Sequence, residues 1–139
     1  MSQENVEIVR DGYDAFNRGD LEACLTAIDP GIEWWPAADE PVIEPYRGHD
    51  GYRRLWAETR EPVPDIQGEI EELFAVGDQV VVCLHFWGRG RESGAPVEVR
   101  ETQVARLRDG KIIEVREYRR KAEALEAVGL SEQDAHADS

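Results

Sequence analysis

Apolar positions near the start of the chain recur at spacings of three and four, so Val6, Val9, Tyr13 and Phe16 share one face of a helix. Ser2 is placed to cap it, Glu4 and Glu7 suit its positive end, and Gly19 suits its termination. Asp20 then opens a second helix carrying Leu21, Cys24, Leu25 and Ile28, which Pro30-Gly31 stops. "IEWWP" reads as a short strand closed by Pro36, and "PAADEPVIEPYRG" as an acidic, proline-rich loop with a mobile tip. From about Asp50 a third helix sets Tyr52, Leu55, Trp56 and Thr59 on one side and ends at Pro62 and Pro64.

Beyond residue 66 the pattern is that of a β-meander. A strand near 66–76 turns at Gly77-Asp78 into "QVVVCLHFWGRG", whose apolar run suits a central strand. "RESGAP" turns into "VEVRETQVARL", and "RDG" turns into "KIIEVREYRR". A short helix, "KAEALEAVGL", ends at Gly129. The order predicts an α+β fold: a cone of three N-terminal helices packed on a curled, mainly antiparallel β-sheet, with a short C-terminal helix. Residues 1–130 form a single domain, and 131–139 a polar disordered tail. Such a cone leaves a funnel between helices and sheet.

Composition narrows the partners. The chain of 139 residues carries 30 Asp and Glu against 16 Lys and Arg, a net charge of −14 that repels nucleic acids and anionic membranes. Cys24 and Cys83 read as buried free thiols, and the scattered His49, His85 and His136 offer no metal-ligand spacing. "MSQENVEIV" has neither the basic nor the apolar part of a signal peptide, and no run reaches the ~20 apolar residues of a membrane span. A cytoplasmic protein needing no metal or organic cofactor is expected.

"AFNRGDLEACLTAIDPGIEWWP", "YRGHDGYRRLW", "LRDGKIIEVREY" and "AEALEAVGL" together resemble the SnoaL-like branch of the nuclear transport factor 2-like superfamily, from about Glu4 to Leu130. The resemblance implies an α+β cone with an apolar pocket, commonly in a dimer. It implies no single activity, because the superfamily spans cyclases, isomerases, epoxide hydrolases, dehydratases and non-catalytic binders. Where ketosteroid isomerases carry their general base, one residue before a proline, this chain has Trp35 before Pro36. Their protonated Asp falls near Gln103, and their Tyr nearest Gly12, with Tyr13 next to it. The resemblance therefore argues against steroid-type isomerisation. The Asp-Arg-Asp set of the epoxide hydrolases is also not reproduced.

The last hairpin decides which side chains enter the funnel. A three-residue loop with Gly110 left-handed pairs Leu107 with Lys111, and hence Glu101 with Glu117 and Gln103 with Val115. A two-residue loop on Asp109-Gly110 instead pairs Glu117 with Thr102. In the first register Val99, Glu101, Gln103, Ala105, Ile113, Val115, Glu117 and Arg119 face inward, and Val104, Ile112 and Tyr118 outward. Glu101 and Glu117 are then candidate catalytic residues, a carboxyl pair sharing a proton. Alternation sends Trp34 and Trp35 to opposite sides, and with Trp35 inside, Glu33 joins it. The candidate ligand-binding set is Tyr13, Phe16, Glu33, Trp35, Trp56, His85, Gln103, Val115 and Arg119. His85 is included because imidazole titrates near neutrality.

The expected function is binding of a small, largely apolar molecule, with cofactor-independent isomerisation, cyclisation or dehydration if the pair is catalytic. The alternatives are a non-catalytic ligand-binding module and a dimerisation module. A homodimer is expected through the outer sheet face, where Val104, Ile112 and Tyr118 sit.

Overall fold

Residues 2–37 and 44–131 are described by a computed structural model. Along them run α1 (Ser2–Arg18), α2 (Leu21–Thr26), β1 (Ile28–Trp35), β2 (Tyr46–Arg47) and α3 (Gly48–Arg60), then β3 (Gln67–Val76), β4 (Gln79–Arg89), β5 (Pro96–Arg108), β6 (Lys111–Tyr118) and α4 (Lys121–Ala127). The Ser2 side chain expected to cap α1 is not described, and the tip of the proline-rich loop and the tail beyond Ser131 lie outside the described residues. Asp20 caps α2 as expected, its Oδ1 accepting the Ala23 amide at 3.0 Å. That helix is shorter than its apolar stripe implied. Ile28 leaves it to pair with Ile112, whose amide donates to the Ala27 carbonyl at 2.9 Å, so the sheet captures the backbone before Pro30 is reached.

The strands form one six-stranded sheet in the order β2-β1-β6-β5-β4-β3. β1 runs parallel to β6, and the other neighbours are antiparallel, which makes the sheet mixed. Helices α1, α2 and α3 pack on one face. Val9, Phe16, Leu25 and Tyr52 there meet Val80, Val82, Leu84 and Phe86 of β4 and Ala105 and Leu107 of β5 in one apolar core. Asn17 fastens the end of α1 to β3, its amide donating to the Gly68 carbonyl and accepting from the Gly68 amide, both at 2.8 Å.

The opposite face is not left bare. Ala124 of α4 packs with Val81 and Val104, and Tyr118 and Val128 lie against them. Val104 is 5% exposed, so it is not a surface residue awaiting a partner. Ile112 lies on the helix-covered face instead, in the larger core.

The last hairpin has a register that neither expectation contained. Its loop is the two-residue one: Arg108 pairs with Lys111, and Asp109 and Gly110 both take positive φ, 53° and 76°, as a type I′ turn requires. One turn later the register slips, because Leu107 pairs with Ile112 while Arg106 pairs with Glu114. Ile113 is the extra residue of a β-bulge. The slip carries Glu117 past Thr102 to lie opposite Gln103.

Candidate active site

Alternation along β5 brings Glu101, Gln103 and Ala105 to the helix-covered face, and the bulge returns Val115 and Glu117 of β6 to that same face. Glu101 and Glu117 are therefore diagonal neighbours rather than a directly opposed pair. A diagonal spacing of about 7–8 Å between Cα atoms still lets two glutamates interact. Above them lies a cavity of about 260 Å³ between the sheet and α1, α2 and α3. Tyr13 and Phe16 of α1, Trp34 of β1, Tyr52 and Trp56 of α3 and Phe86 of β4 supply aromatic walls. Val99 lines it too and is 49% exposed, so the cavity reaches solvent at that end of β5.

The rings hold one another. Phe16 meets Trp56 and Phe86 edge-on at centroid distances of 5.6 and 5.9 Å, and Trp34 meets Tyr52 at 5.6 Å. The Arg60 guanidinium lies over Trp56 at 4.1 Å and Phe16 at 4.7 Å while donating to the Phe16 carbonyl at 2.6 Å. The cavity wall is thus fixed from behind by a cation that is not part of its lining.

Polar groups converge at one end. The Tyr13 hydroxyl donates to Gln103 Oε1, and Gln103 Nε2 donates to Glu101 Oε2 at 2.9 Å. Glu117 is held separately: Trp34 Nε1 donates to its Oε2 at 2.6 Å and the Ala37 amide to its Oε1 at 3.2 Å. Burial raises the Glu101 pKa to about 7, the nearby Glu117 charge adds to the rise, and Gln103 and Arg119 oppose it. Burial also raises that of Glu117, against the two hydrogen bonds it accepts. Tyr13 is pushed well above its ordinary value by burial and then by the glutamates, so its hydroxyl keeps its proton. Near neutrality the site holds a neutral phenol, an amide and two half-buried carboxyls of unequal surroundings.

Of the residues anticipated as binding, Tyr13, Phe16, Trp56, Gln103 and Val115 line the cavity beside Glu101 and Glu117. The others do not. Trp34 is the inward tryptophan: it pairs in parallel with Val115, and partners on neighbouring strands point the same way. Trp35 is outward under the Arg116 guanidinium at 4.8 Å, and Glu33 goes out with it to meet Arg47 at 3.4 Å. His85 pairs with Arg100 on the face opposite the cavity, stacks on Trp87 at 5.3 Å and lies 2.8 Å from Glu98. Its apolar run is buried on both faces of β4, which hid its direction from the pattern. Arg119 is exposed and outside the cavity lining, and its charge lowers the Glu101 pKa. Tyr52, Leu55 and Thr59, which shared a helix face with Trp56 in the sequence, line the cavity with it, a signal that the site assignment left unused.

The SnoaL-like domain family matches residues 9–115, and the chain belongs to that family, within the nuclear transport factor 2-like superfamily. A candidate SnoaL-like polyketide cyclase from Jannaschia sp. CCS1 superposes with a TM-score of 0.73 at 23% identity, over 84% of this chain and 85% of that one. TerC, crystallised with polyporic acid, gives 0.73 at 20% identity over 90% and 98%. IdmH, a candidate polyketide cyclase from Streptomyces antibioticus, gives 0.72 at 26% identity over 81% and 89%. No curated protein matches by sequence. Among the described residues no helix is long and apolar enough to cross a membrane.

Proposed function

We propose that this protein binds a small, largely apolar, oxygen-bearing molecule between its helices and its sheet, which together act as a conical container. There it moves a proton on that molecule without a cofactor, in an isomerisation, cyclisation or dehydration. The observation that carries this reading is the pair of half-buried glutamates at one end of an otherwise apolar, aromatic-walled cavity. A carboxyl that titrates near 7 is poised to give or take a proton at neutral pH, where general acid–base efficiency is greatest. Tyr13, kept neutral, is a donor for a ligand oxygen if Gln103 releases it. The likeness to IdmH and to the polyporic-acid-bound TerC supports the ligand class.

The test is a panel of uncharged polycyclic ketones and phenols. Binders should raise the melting temperature, since they stabilise the native state alone. Bound ketones should exchange their acidic C–H protons for deuterium, followed by NMR. Glu101→Gln should slow that exchange by about 100-fold or more, the usual worth of a general acid or base. Binding without exchange would select a second reading, a non-catalytic binding module. One observation favours that reading: both oxygens of Glu117 are satisfied by the protein itself.

A homodimer belongs to the same proposal. Its support is Trp87 of β4, 40% accessible on the sheet face opposite the cavity, the face that α4 covers over Val81 and Val104. Sedimentation at tens of micromolar tests it, a monomer counting against it.

A further inference from the structure

The two carboxyls of the site are held so differently that they cannot be interchangeable. Glu117 receives an N–H on each oxygen, from the Trp34 indole at 2.6 Å and from the Ala37 amide at 3.2 Å. An indole N–H can only donate, and so can a backbone amide. A proton added to Glu117 would therefore share an oxygen with a donor already aimed at it. Glu101 receives one, from Gln103 to Oε2, and no hydrogen bond reaches its Oε1 among the described residues. Its free oxygen is the place for a proton that faces the cavity.

We propose that Trp34 is a positioning residue that makes the carboxyls unequal: with the Ala37 amide it fixes Glu117 as the standing anion, leaving Glu101 as the group that carries the exchangeable proton. This division of labour rests on the acid/base reading of the site and deepens it. It gives Glu117 the role of base or electrostatic stabiliser and Glu101 that of acid. It also makes Trp34 a wall of the cavity and a ligand of its chemistry at once. The ring packs against Tyr52 at 5.6 Å, so its N–H is aimed by packing and not by chance. The other groups facing the pair do not reverse the assignment. Tyr13 from α1 is neutral and bonded to Gln103, Tyr46 from β2 donates its hydroxyl to Glu58 at 2.7 Å, and Arg119 acts on Glu101 from outside the cavity. That last cation works against the inequality, and the two hydrogen bonds on Glu117 must outweigh it.

Carbon-13 NMR of the glutamate carboxyls in the ligand-free protein tests this, with Glu101→Gln and Glu117→Gln supplying the assignments. In the wild type Glu117 should titrate at the lower of the two steps, and the Trp34 indole proton should shift with that same step. Trp34→Phe keeps the ring and deletes the donor. It should raise the Glu117 titration by about one pH unit, a tenfold gain in proton affinity, which is the scale of a lost hydrogen bond to a charged group. Trp34→Phe leaving the Glu117 titration in place would overturn the proposal. So would a wild-type indole signal that follows the upper step, a measurement that needs no variant to fold. None of these readouts involves ligand. The expected titrations together with an absence of proton exchange on any bound ketone would thus remove the proposed activity and leave the assignment standing.

Discussion

Glu101 sits where an acidic side chain is least at home, and its titration near 7 has a consequence for the whole chain's stability. An unfolded glutamate titrates near 4.3. Between about 4.3 and 7 the folded protein therefore holds a proton that the unfolded chain has lost. Stability contributed by the protonated Glu101 is fully present below that window and falls as pH rises through it, by up to about 1.4 kcal/mol per pH unit. Glu101→Gln should remove this slope, so that urea melts at pH 4.5 and 7 differ less than in the wild type. Equal slopes in both proteins would show that Glu101 is ionised throughout. At this scale the sequence told much but not all. Alternation with the three-residue loop put Glu101 and Glu117 on one face, and they share it because the two-residue loop and the bulge each shift the register by one and together keep the parity. It did not reveal that Gln103 stands between them, because the bulge at Ile113 leaves no mark in a run as uniformly β-prone as "KIIEVREY". Nor did it choose between Trp34 and Trp35. That choice belongs to the parallel pairing of β1 with β6, a contact across more than 80 residues that local pattern does not encode.

Elements with strong punctuation were the ones read best. Asp20 capped its helix, Pro36 closed β1, and Gly77-Asp78 turned its hairpin, whereas the last hairpin turned on Asp109-Gly110 and not on the three-residue loop that set the expected site. Where two turn chemistries competed, the dihedrals decided. A residue with φ near 53° is tolerated by Asp, and the following 76° by Gly, so the two-residue turn is cheap here. Gly110→Ala should cost about 1 kcal/mol or more in denaturant melts through that left-handed φ, with the hairpin register kept. The element whose role the sequence did not foretell is α4. Its apolar positions were visible, but not that they cover the outer face of the sheet over Val81 and Val104. Leu125 of α4 is fully buried. Leu125→Ala should then destabilise the protein by about 2–5 kcal/mol, the range for cavity-forming core substitutions. A loss below about 0.5 kcal/mol in equilibrium unfolding would mean that α4 is a loosely attached appendage.

At the scale of the molecule the cavity is what remains where three helices meet one sheet face and do not fill it. A protein selected for stability alone has a ready remedy, because filling a void of this size gains contacts and loses nothing structural. Ala105 stands at the right place for the experiment. It lies on β5 between Gln103 and Leu107, is 3% exposed, and lines the cavity. Ala105→Leu sends a branched side chain into a space of about 260 Å³, which is ample for the added carbons. Its neighbours on the same strand face are already apolar or hydrogen-bonded, so the substitution adds apolar burial without orphaning a polar group. The melting temperature should therefore hold or rise, unlike the usual 1–3 kcal/mol penalty of overpacking a filled core. The same change should abolish the stabilisation given by the ketones and phenols that bind the wild type. Those paired outcomes separate a site kept open for a ligand from a packing defect. A cavity that is only a defect would give the same stability gain with no binding to lose, and a core with no true void would give the overpacking loss instead. Differential scanning calorimetry of both proteins, with and without the tightest-binding member of the panel, distinguishes all three.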